Sequence, residues 1–275
     1  MLVGRKIRDV RTTRASYLFL TPPARLRRAL RGRTVVALAR RGKYLAAELD
    51  DGARLVVHLG MTGQLFASSA TSPRLLSAAK RASLSPEAQT RFRPDRHTHL
   101  RIAFEDGGPD LFLRDVRKFG KVLWLPPGAR HERLDRLGVD ALGVTGELLF
   151  EATRGRTAAI KSALLDQSSI AGVGNIYADE ALFLAGVRPS RRAGRVTRRE
   201  CDALAEALQR VLRRSIETGG SSISDYVAPD GADGAYQTER RVYARDGEPC
   251  GVCASPIRRK VVGQRGTHYC PRCQT

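Results

Sequence analysis

Four of the five cysteines fall in the last 26 residues, as Cys250-x2-Cys253 and Cys270-x2-Cys273 with sixteen residues between the pairs. Each pair can form a knuckle, and the spacer is long enough for a β-hairpin. The spacing therefore matches a four-thiolate zinc ribbon. With all four positions taken by sulfur, no open coordination is left for catalysis, so the expected cofactor is one structural Zn²⁺ on Cys250, Cys253, Cys270 and Cys273. A redox dithiol would account for one pair, not for two at this separation. The same cysteine usage fits a reducing compartment better than disulfides.

A module this small cannot build its own core, and a metal takes the place of one. Its cargo lies in the spacer "ASPIRRKVVGQRGTHY". From Arg241 to Thr275 seven Lys or Arg stand against two Asp or Glu, a balance of +5. A zinc ion with four thiolates contributes about −2, which leaves the module positive. Gly263-Gln264-Arg265-Gly266 reads as the hairpin turn with Arg265 at its tip, either a rigidly held arginine finger or a solvated side chain.

The excess of cations runs through the whole chain. Its 275 residues hold 48 Lys plus Arg and 28 Asp plus Glu, a net charge of +20. No single block accounts for it, so the folded surface should be electropositive on at least one face, with a polyanion partner and nucleic acid the first candidate. Apolar residues make up 42% and recur in runs, which supports a packed core. The length allows two domains plus a small module. No apolar run reaches the roughly 18–20 residues of a membrane span, and "MLVGRKIRDV" has neither an apolar h-region nor a cleavage signal.

Residues 1–125 read mainly as strands: "KIRDV", "TVVALARRG", "KYLAAELD", "RLVVHLG", "HLRIAFED", "DLFLRDV" and "KVLWLPP". Turn signals such as Asp50-Asp51-Gly52 and Asp106-Gly107-Gly108-Pro109 separate them, and connections this short suit an antiparallel sandwich or barrel. Residues 68–96 form a polar excursion. From about residue 131 the period becomes helical. Ile160, Ala163, Leu164 and Gln167 share a stripe, and "NIYADEALFLAG" is apolar on most sides, as in a buried helix. In "TRRECDALAEALQRVLRRSIETGG", Thr197 and Glu200 form a capping box, Leu204, Leu208, Val211 and Leu212 make the stripe, and Gly219-Gly220 end it. Cys201 lies beside that stripe and reads as core. Residues 219–240 look like a long loop.

Gly172-Val173-Gly174-Asn175 nearly matches a dinucleotide fingerprint, but the preceding "KSALLDQ" is helical and no βαβ unit surrounds it. The better reading is helix, tight two-glycine turn, helix from Asn175. Free N–H groups at that helix start suit a phosphate, and Asn175 adds a side-chain donor. An ordinary helix–helix turn is the alternative.

Taken together, "RRGKYL", "HLGMTGQL", "DVRKFG", "AIKSALLDQSSIAGVGNIYADEALFLAGVRP", "RSIETGGSSISDY", "VYARDGEPC" and "GQRGTHYCPRCQ" resemble the bacterial formamidopyrimidine-DNA glycosylases of the Fpg/Nei group. The resemblance implies an α+β multidomain fold: an antiparallel β-sandwich (1–130), a helix-two-turn-helix (H2TH) domain (131–240) and a zinc ribbon (241–275), with DNA in the cleft between the halves. The "GQRGTHYCPRCQ" ending and the "DGADGAYQ" loop resemble the formamidopyrimidine branch, which implies oxidised purines as substrates. Roles follow where residues match. Asn175 and Arg265 resemble the pair that clamps phosphates flanking the lesion. Met61, Arg117 and Phe119 resemble the wedge that fills the gap left by the extruded base. Lys43 resembles a lysine that carries protons in the lyase steps, and His97 a DNA-contacting histidine. A basic position just before "AAIK" is Thr157 here, with Arg156 beside it. The implied partner is double-stranded DNA with damaged bases or abasic sites, met by a cytoplasmic, nucleoid-associated monomer.

The family's chemistry begins with an N-terminal prolyl amine, followed by a Glu that acts as acid. An α-amine suits the task because its pKa near 8 leaves a useful unprotonated fraction at neutral pH. Here the sequence opens Met1-Leu2-Val3, and "LVGRKIRDV" resembles family sequence that follows a first helix. Either the recorded start lies downstream of the true one, or the chain is a lesion or duplex-DNA binder without the chemistry. On both readings the 275-residue form is expected to be inactive or impaired. Lys6 opens a strand and is a poor substitute nucleophile. A zinc-ribbon RNA partner is a third reading.

Overall fold

The computed structural model describes residues 2–70, 94–221 and 234–275. They form two compact units, Met1–His131 with Gly219–Gln237, and Glu132–Thr218 with Thr238–Thr275. Most of the polar stretch at 68–96, the middle of the 219–240 loop and half of "DGADGAYQ" lie outside the described residues.

The first unit holds β1 (Ile7–Thr12), α1 (Pro23–Leu30), β2 (Val35–Arg41), β3 (Tyr44–Leu49), β4 (Arg54–His58), β5 (Gly63–Ala67), β6 (Thr98–Phe104), β7 (Leu111–Asp115) and β8 (Lys121–Leu125). They make two antiparallel four-stranded sheets, ordered β1-β6-β7-β5 and β2-β3-β4-β8. Each sheet turns apolar side chains into one shared core. Ile7, Val10, Leu100, Ile102 and Leu113 come from the first, and Val35, Leu49, Leu55, Val57 and Val122 from the second. Burial of each such side chain is worth about 1.5–3 kcal/mol, and this holds the sheets face to face. Two elements go beyond the strand runs read from the sequence. Strand β5 is short and opens on glycine. Helix α1 sets Pro23 at its first turn and buries Leu26 and Leu30 one turn apart against the same core. Arg5 grips Asp106 with Nε and Nη2, at 2.6 and 2.7 Å, which ties the segment before β1 to the β6–β7 turn. Lys6 is paired with Glu105 at 3.1 Å.

The second unit runs through α2 (Glu132–Asp135), β9 (Val139–Asp140), α3 (Gly146–Thr153), α4 (Ile160–Leu165), β10 (Ile170–Ala171), α5 (Asn175–Leu184) and α6 (Arg198–Glu217), then β11 (Arg258–Val262) and β12 (Arg265–Tyr269). In the capping box of α6, Thr197 Oγ1 accepts from Glu200 N and Glu200 Oε2 from Thr197 N. Leu204, Leu208 and Cys201 are buried in the helical core, and Val211 is buried on the same helix, as the stripe predicts. Helix α3, capped by Thr145, adds an element that the sequence pattern does not reveal. One expectation is corrected. Helix α4 stops at Leu165, so Gln167 does not continue its stripe. Its side chain instead donates to Leu165 O and Val173 O and accepts from Gly172 N, stitching the two-glycine turn together.

Candidate metal centre and nucleic-acid interface

The ribbon is built by its cysteines. The Sγ atoms of Cys250, Cys253, Cys270 and Cys273 all lie within 4.8 Å of one another, with Cys253–Cys270 at 3.4 Å and Cys250–Cys273 at 3.9 Å. Four thiolates about 2.3 Å from one tetrahedral zinc stand about 3.8 Å apart, so the residues fit the ion. Backbone N–H groups of Val252 and Cys273 point at Cys250 Sγ and Cys270 Sγ, as knuckles require. The C-terminal zinc finger carries one structural Zn²⁺ on these four sulfurs. A small apolar cluster of Phe183, Val242 and Ile257 backs Cys250 and Cys270 and seats the ribbon on α5. The buried Glu180 carboxylate accepts from three successive amides, Arg241 N, Val242 N and Tyr243 N, and pins the chain leading into the ribbon.

The hairpin turn is tighter than the sequence suggests. Val262 pairs with Arg265, so the turn is Gly263-Gln264 alone, and Arg265 opens β12 instead of forming the tip. Gly263 suits the turn because its φ is +55°, and a Cβ there would come within 2.4 Å of Ser162 Oγ of α4, which would have to turn aside. The turn thus lies directly on the helix. Arg265 is exposed, and the next carbonyl, Gly266 O, accepts from Asn175 Nδ2 at 3.0 Å. Asn175 is the first residue of α5, after Gly172 at φ +111°. The ribbon and the two-glycine turn therefore join at the backbone next to Arg265, where the Asn175 amide binds beside a helix N-terminus.

In the first unit, Met61, Arg117 and Phe119 stand on the β4–β5 and β7–β8 loops. Large apolar residues usually turn inward, yet Met61 is 63% and Phe119 44% exposed. Fully buried Asp115 explains this. Its Oδ1 accepts from Thr62 Oγ1 at 2.5 Å and Arg117 N at 3.2 Å, and its Oδ2 from Gly120 N at 2.8 Å. Gly60 meets the second loop so closely that a Cβ would fall 2.7 Å from Gly120 N. The two loops are tied to each other through Asp115, and Met61 and Phe119 stand exposed on them. Arg117 Cζ lies 4.6 Å from the Phe119 ring centroid, a cation–π contact. Lys43 is exposed in the two-residue β2–β3 turn. Tyr44 is in register with His58 and His58 with Lys121, so Lys43 shares the sheet end from which both loops leave. His97 precedes β6. Its backbone N donates to Asp95 Oδ1, and its carbonyl accepts from Asp115 N. Burial lowers the His97 pKa, Asp95 opposes this, and Arg114, Arg96 and Lys118 add to it, which favours the neutral ring. Arg156 is engaged: Nη1 donates to Asp166 Oδ2 at 2.9 Å and Nη2 to Ser169 Oγ at 2.6 Å. Sequence reading misses Asp115, the turn-stitching role of Gln167, and Glu180. For Glu180, an adjacent Asp-Glu inside an otherwise apolar helix is a usable signal, because buried carboxylates must be paired.

Residues 1–122 match the formamidopyrimidine-DNA glycosylase N-terminal domain, 137–227 the formamidopyrimidine-DNA glycosylase H2TH domain, and 247–275 the zinc finger found in FPG and IleRS. The formamidopyrimidine-DNA glycosylase of Burkholderia thailandensis is 42% identical over 99% of this chain and 94% of its own length. That of Cupriavidus pinatubonensis is 43% identical with the same coverage. Among solved structures, the MutM (Fpg) protein of Thermus thermophilus superposes with a TM-score of 0.82 at 35% identity, over 99% of this chain and 92% of that one. Lactococcus lactis Fpg in complex with DNA containing an abasic site gives 0.82 at 33%, over 100% and 94%. On these matches and on the fold and zinc finger that carry them, the chain belongs to the formamidopyrimidine-DNA glycosylase family.

Proposed function

We propose that this protein is a base-excision repair glycosylase that binds damaged double-stranded DNA, removes oxidised purines such as 8-oxoguanine and formamidopyrimidines, and cleaves the abasic site by β,δ-elimination. The observation that carries the reading is the corner of Asn175 and Arg265, an amide and a guanidinium held by backbone and metal where neighbouring phosphates can be gripped. Met61, Arg117 and Phe119 would enter the stack as the damaged base leaves it. Extrusion costs a few kcal/mol, least at a lesion, and apolar plus cationic side chains offset it. His97 would contact the DNA.

The chemical steps follow the family. An amine nitrogen attacks the sugar C1′ and the bond from C1′ to the base breaks, its electron pair leaving with the base, which takes up a proton. Loss of a proton from nitrogen leaves a ring-closed aminal, and breaking of the C1′–O4′ bond, whose electron pair and a proton go to O4′, opens the sugar and gives the Schiff base. Removal of a C2′ proton then expels the 3′-phosphate, and a second elimination expels the 5′-phosphate. Lys43 would carry protons in these later steps. In the family that amine belongs to an N-terminal proline followed by Glu, and for a form opening Met1-Leu2-Val3 our reading is lesion binding without cleavage of the glycosidic bond. We also read the protein as a monomer of the nucleoid.

Borohydride trapping on an 8-oxoguanine duplex tests this. The expected result is no adduct from the 275-residue form, and an adduct once the family's Met-Pro-Glu helix is placed before it. An adduct from the 275-residue form would overturn its inertness, and none from the extended form would favour a non-catalytic binder. With about 6–10 phosphate contacts, affinity should fall roughly 10³–10⁵-fold between about 50 and 200 mM salt. A flat response, or tighter binding to RNA than to duplex DNA, would contradict the assignment.

A further inference from the structure

Lys161 and Asp179 are both fully buried, each at 0% side-chain exposure, with Lys161 Nζ 2.7 Å from Asp179 Oδ1. Lys161 comes from α4 and Asp179 from α5, and both reach the ribbon hairpin. Lys161 Nζ donates to Gly266 O and to Thr267 Oγ1, each at 2.9 Å. Asp179 Oδ2 accepts from His268 N at 2.9 Å. Thr267 Oγ1 in turn donates to Arg265 O at 2.9 Å. Three consecutive residues after Arg265 are thereby fixed by one ion pair, and Gly266 O receives both the Lys161 ammonium and the Asn175 amide.

A buried ion pair is a poor device for stability alone. Desolvating two charges offsets much of their attraction, and an apolar replacement of similar volume is often neutral or better. What a pair with these additional hydrogen bonds does supply is a single geometry. Burial pulls the Lys161 pKa down, Asp179 raises it again, and the positive charge of Arg265 lowers it further. The Asp179 carboxylate therefore offsets both the burial of the ammonium and the neighbouring cation, while Lys161 bonds the hairpin directly.

We propose that Lys161 and Asp179 are positioning residues for DNA binding: they touch no DNA themselves, but set the Arg265 hairpin against the first turn of α5 so that Arg265 and Asn175 act on one stretch of backbone. This rests on the DNA-binding reading above. The test is the pair variant Lys161→Met/Asp179→Asn, which removes one charge of each sign and leaves the net charge unchanged. The introduced asparagine can still accept from His268 N, and the methionine fills the lysine's volume. The variant should keep one zinc per chain. It should bind a duplex with a tetrahydrofuran abasic analogue about tenfold more weakly, with a salt slope reduced by about one phosphate contact. In that background Arg265→Ala should cost little more, whereas in the parent it costs about tenfold.

A purely structural role would leave the Arg265→Ala penalty the same in both backgrounds, and that result, or unchanged affinity, overturns the proposal. Hydrogen exchange at the Gly266, Thr267 and His268 amides gives a readout that needs no DNA. Exchange should accelerate there and not at the zinc knuckles, and equal protection in variant and parent would also overturn it. If the pair variant loses zinc, Thr267→Val is the milder probe, expected to weaken binding about threefold and contradicting the proposal if it does not. Failure of the DNA-binding reading itself would show separately, as absence of damaged-duplex preference in the parent.

Discussion

Replacing Asp115 with Asn asks whether one buried carboxylate holds two loops in place. The aspartate accepts from Thr62 Oγ1, Arg117 N and Gly120 N while fully buried. Hydrogen bonds to a charged group contribute about 1.5–3 kcal/mol each, and an unsatisfied buried donor costs about 1–3 kcal/mol. Asparagine has one acceptor atom where aspartate has two. Whichever way it turns, one of the loop donors faces its NH₂ group, and the remaining bonds weaken to neutral strength. The expected loss is about 3–5 kcal/mol, a large part of the roughly 5–15 kcal/mol that holds a domain together. Urea denaturation measures that loss. Fluorescence of 2-aminopurine placed next to a tetrahydrofuran site measures whether Met61, Arg117 and Phe119 still enter the stack, and the variant should give a markedly smaller signal at saturating protein. A variant that unfolds within about 1 kcal/mol of the parent and gives the same fluorescence would refute the reasoning.

Stripping zinc with a chelator, or replacing Cys270 with Ser, should disorder the ribbon hairpin and abolish preferential binding to abasic duplex, followed by zinc stoichiometry and binding titrations. Gly263→Ala should cost about 1–2 kcal/mol in urea denaturation, from the positive φ and the contact with Ser162 together. Glu200 has its pKa lowered to about 2, first by the hydrogen bond from Arg191, with burial opposing and Thr197 assisting. A depressed carboxylate pKa stabilises the fold above its unfolded value near 4.5, and that contribution is lost as pH falls toward 2. Complete linkage would be about 3 kcal/mol, and solvent screening of a side chain 29% exposed reduces it to about 1–2 kcal/mol. Glu200→Gln should therefore be less stable than the parent by that amount at pH 7, with the difference constant down to about pH 5 and vanishing by about pH 2.

The legible parts of the sequence are those where one local rule dominates. The CxxC pairs, the capping box at Thr197 and Glu200, the stripe through Leu204 and Leu208, and the helix start at Asn175 each follow from spacing within a few residues. Illegible parts depend on distant partners. Strand β5 is recognisable only by its pairing with β7, and α3 is too short for its apolar spacing to stand out. Met61 and Phe119 would read as core side chains without the family resemblance, because nothing local in the sequence shows the hydrogen bonds by which Asp115 ties their two loops together. Gln167 fits a helical stripe on paper because Asp166 gives no local sign that α4 stops at Leu165. Arg265 falls at the tip of a four-residue turn on paper because sequence alone does not distinguish that from a two-residue turn with Gln264 at positive φ, here +62°.

The account depends most on Asn175 and Arg265 acting as one grip on DNA, and a double-mutant cycle reads this directly. Dissociation constants for a tetrahydrofuran-containing duplex would be measured at fixed salt for the parent, Asn175→Ala, Arg265→Ala and the double variant. Each single change should weaken binding about tenfold or more, and the double variant should be only slightly weaker than either, because the Asn175 amide holds the carbonyl next to Arg265 and both side chains serve one corner. Single variants that bind as tightly as the parent would contradict the account.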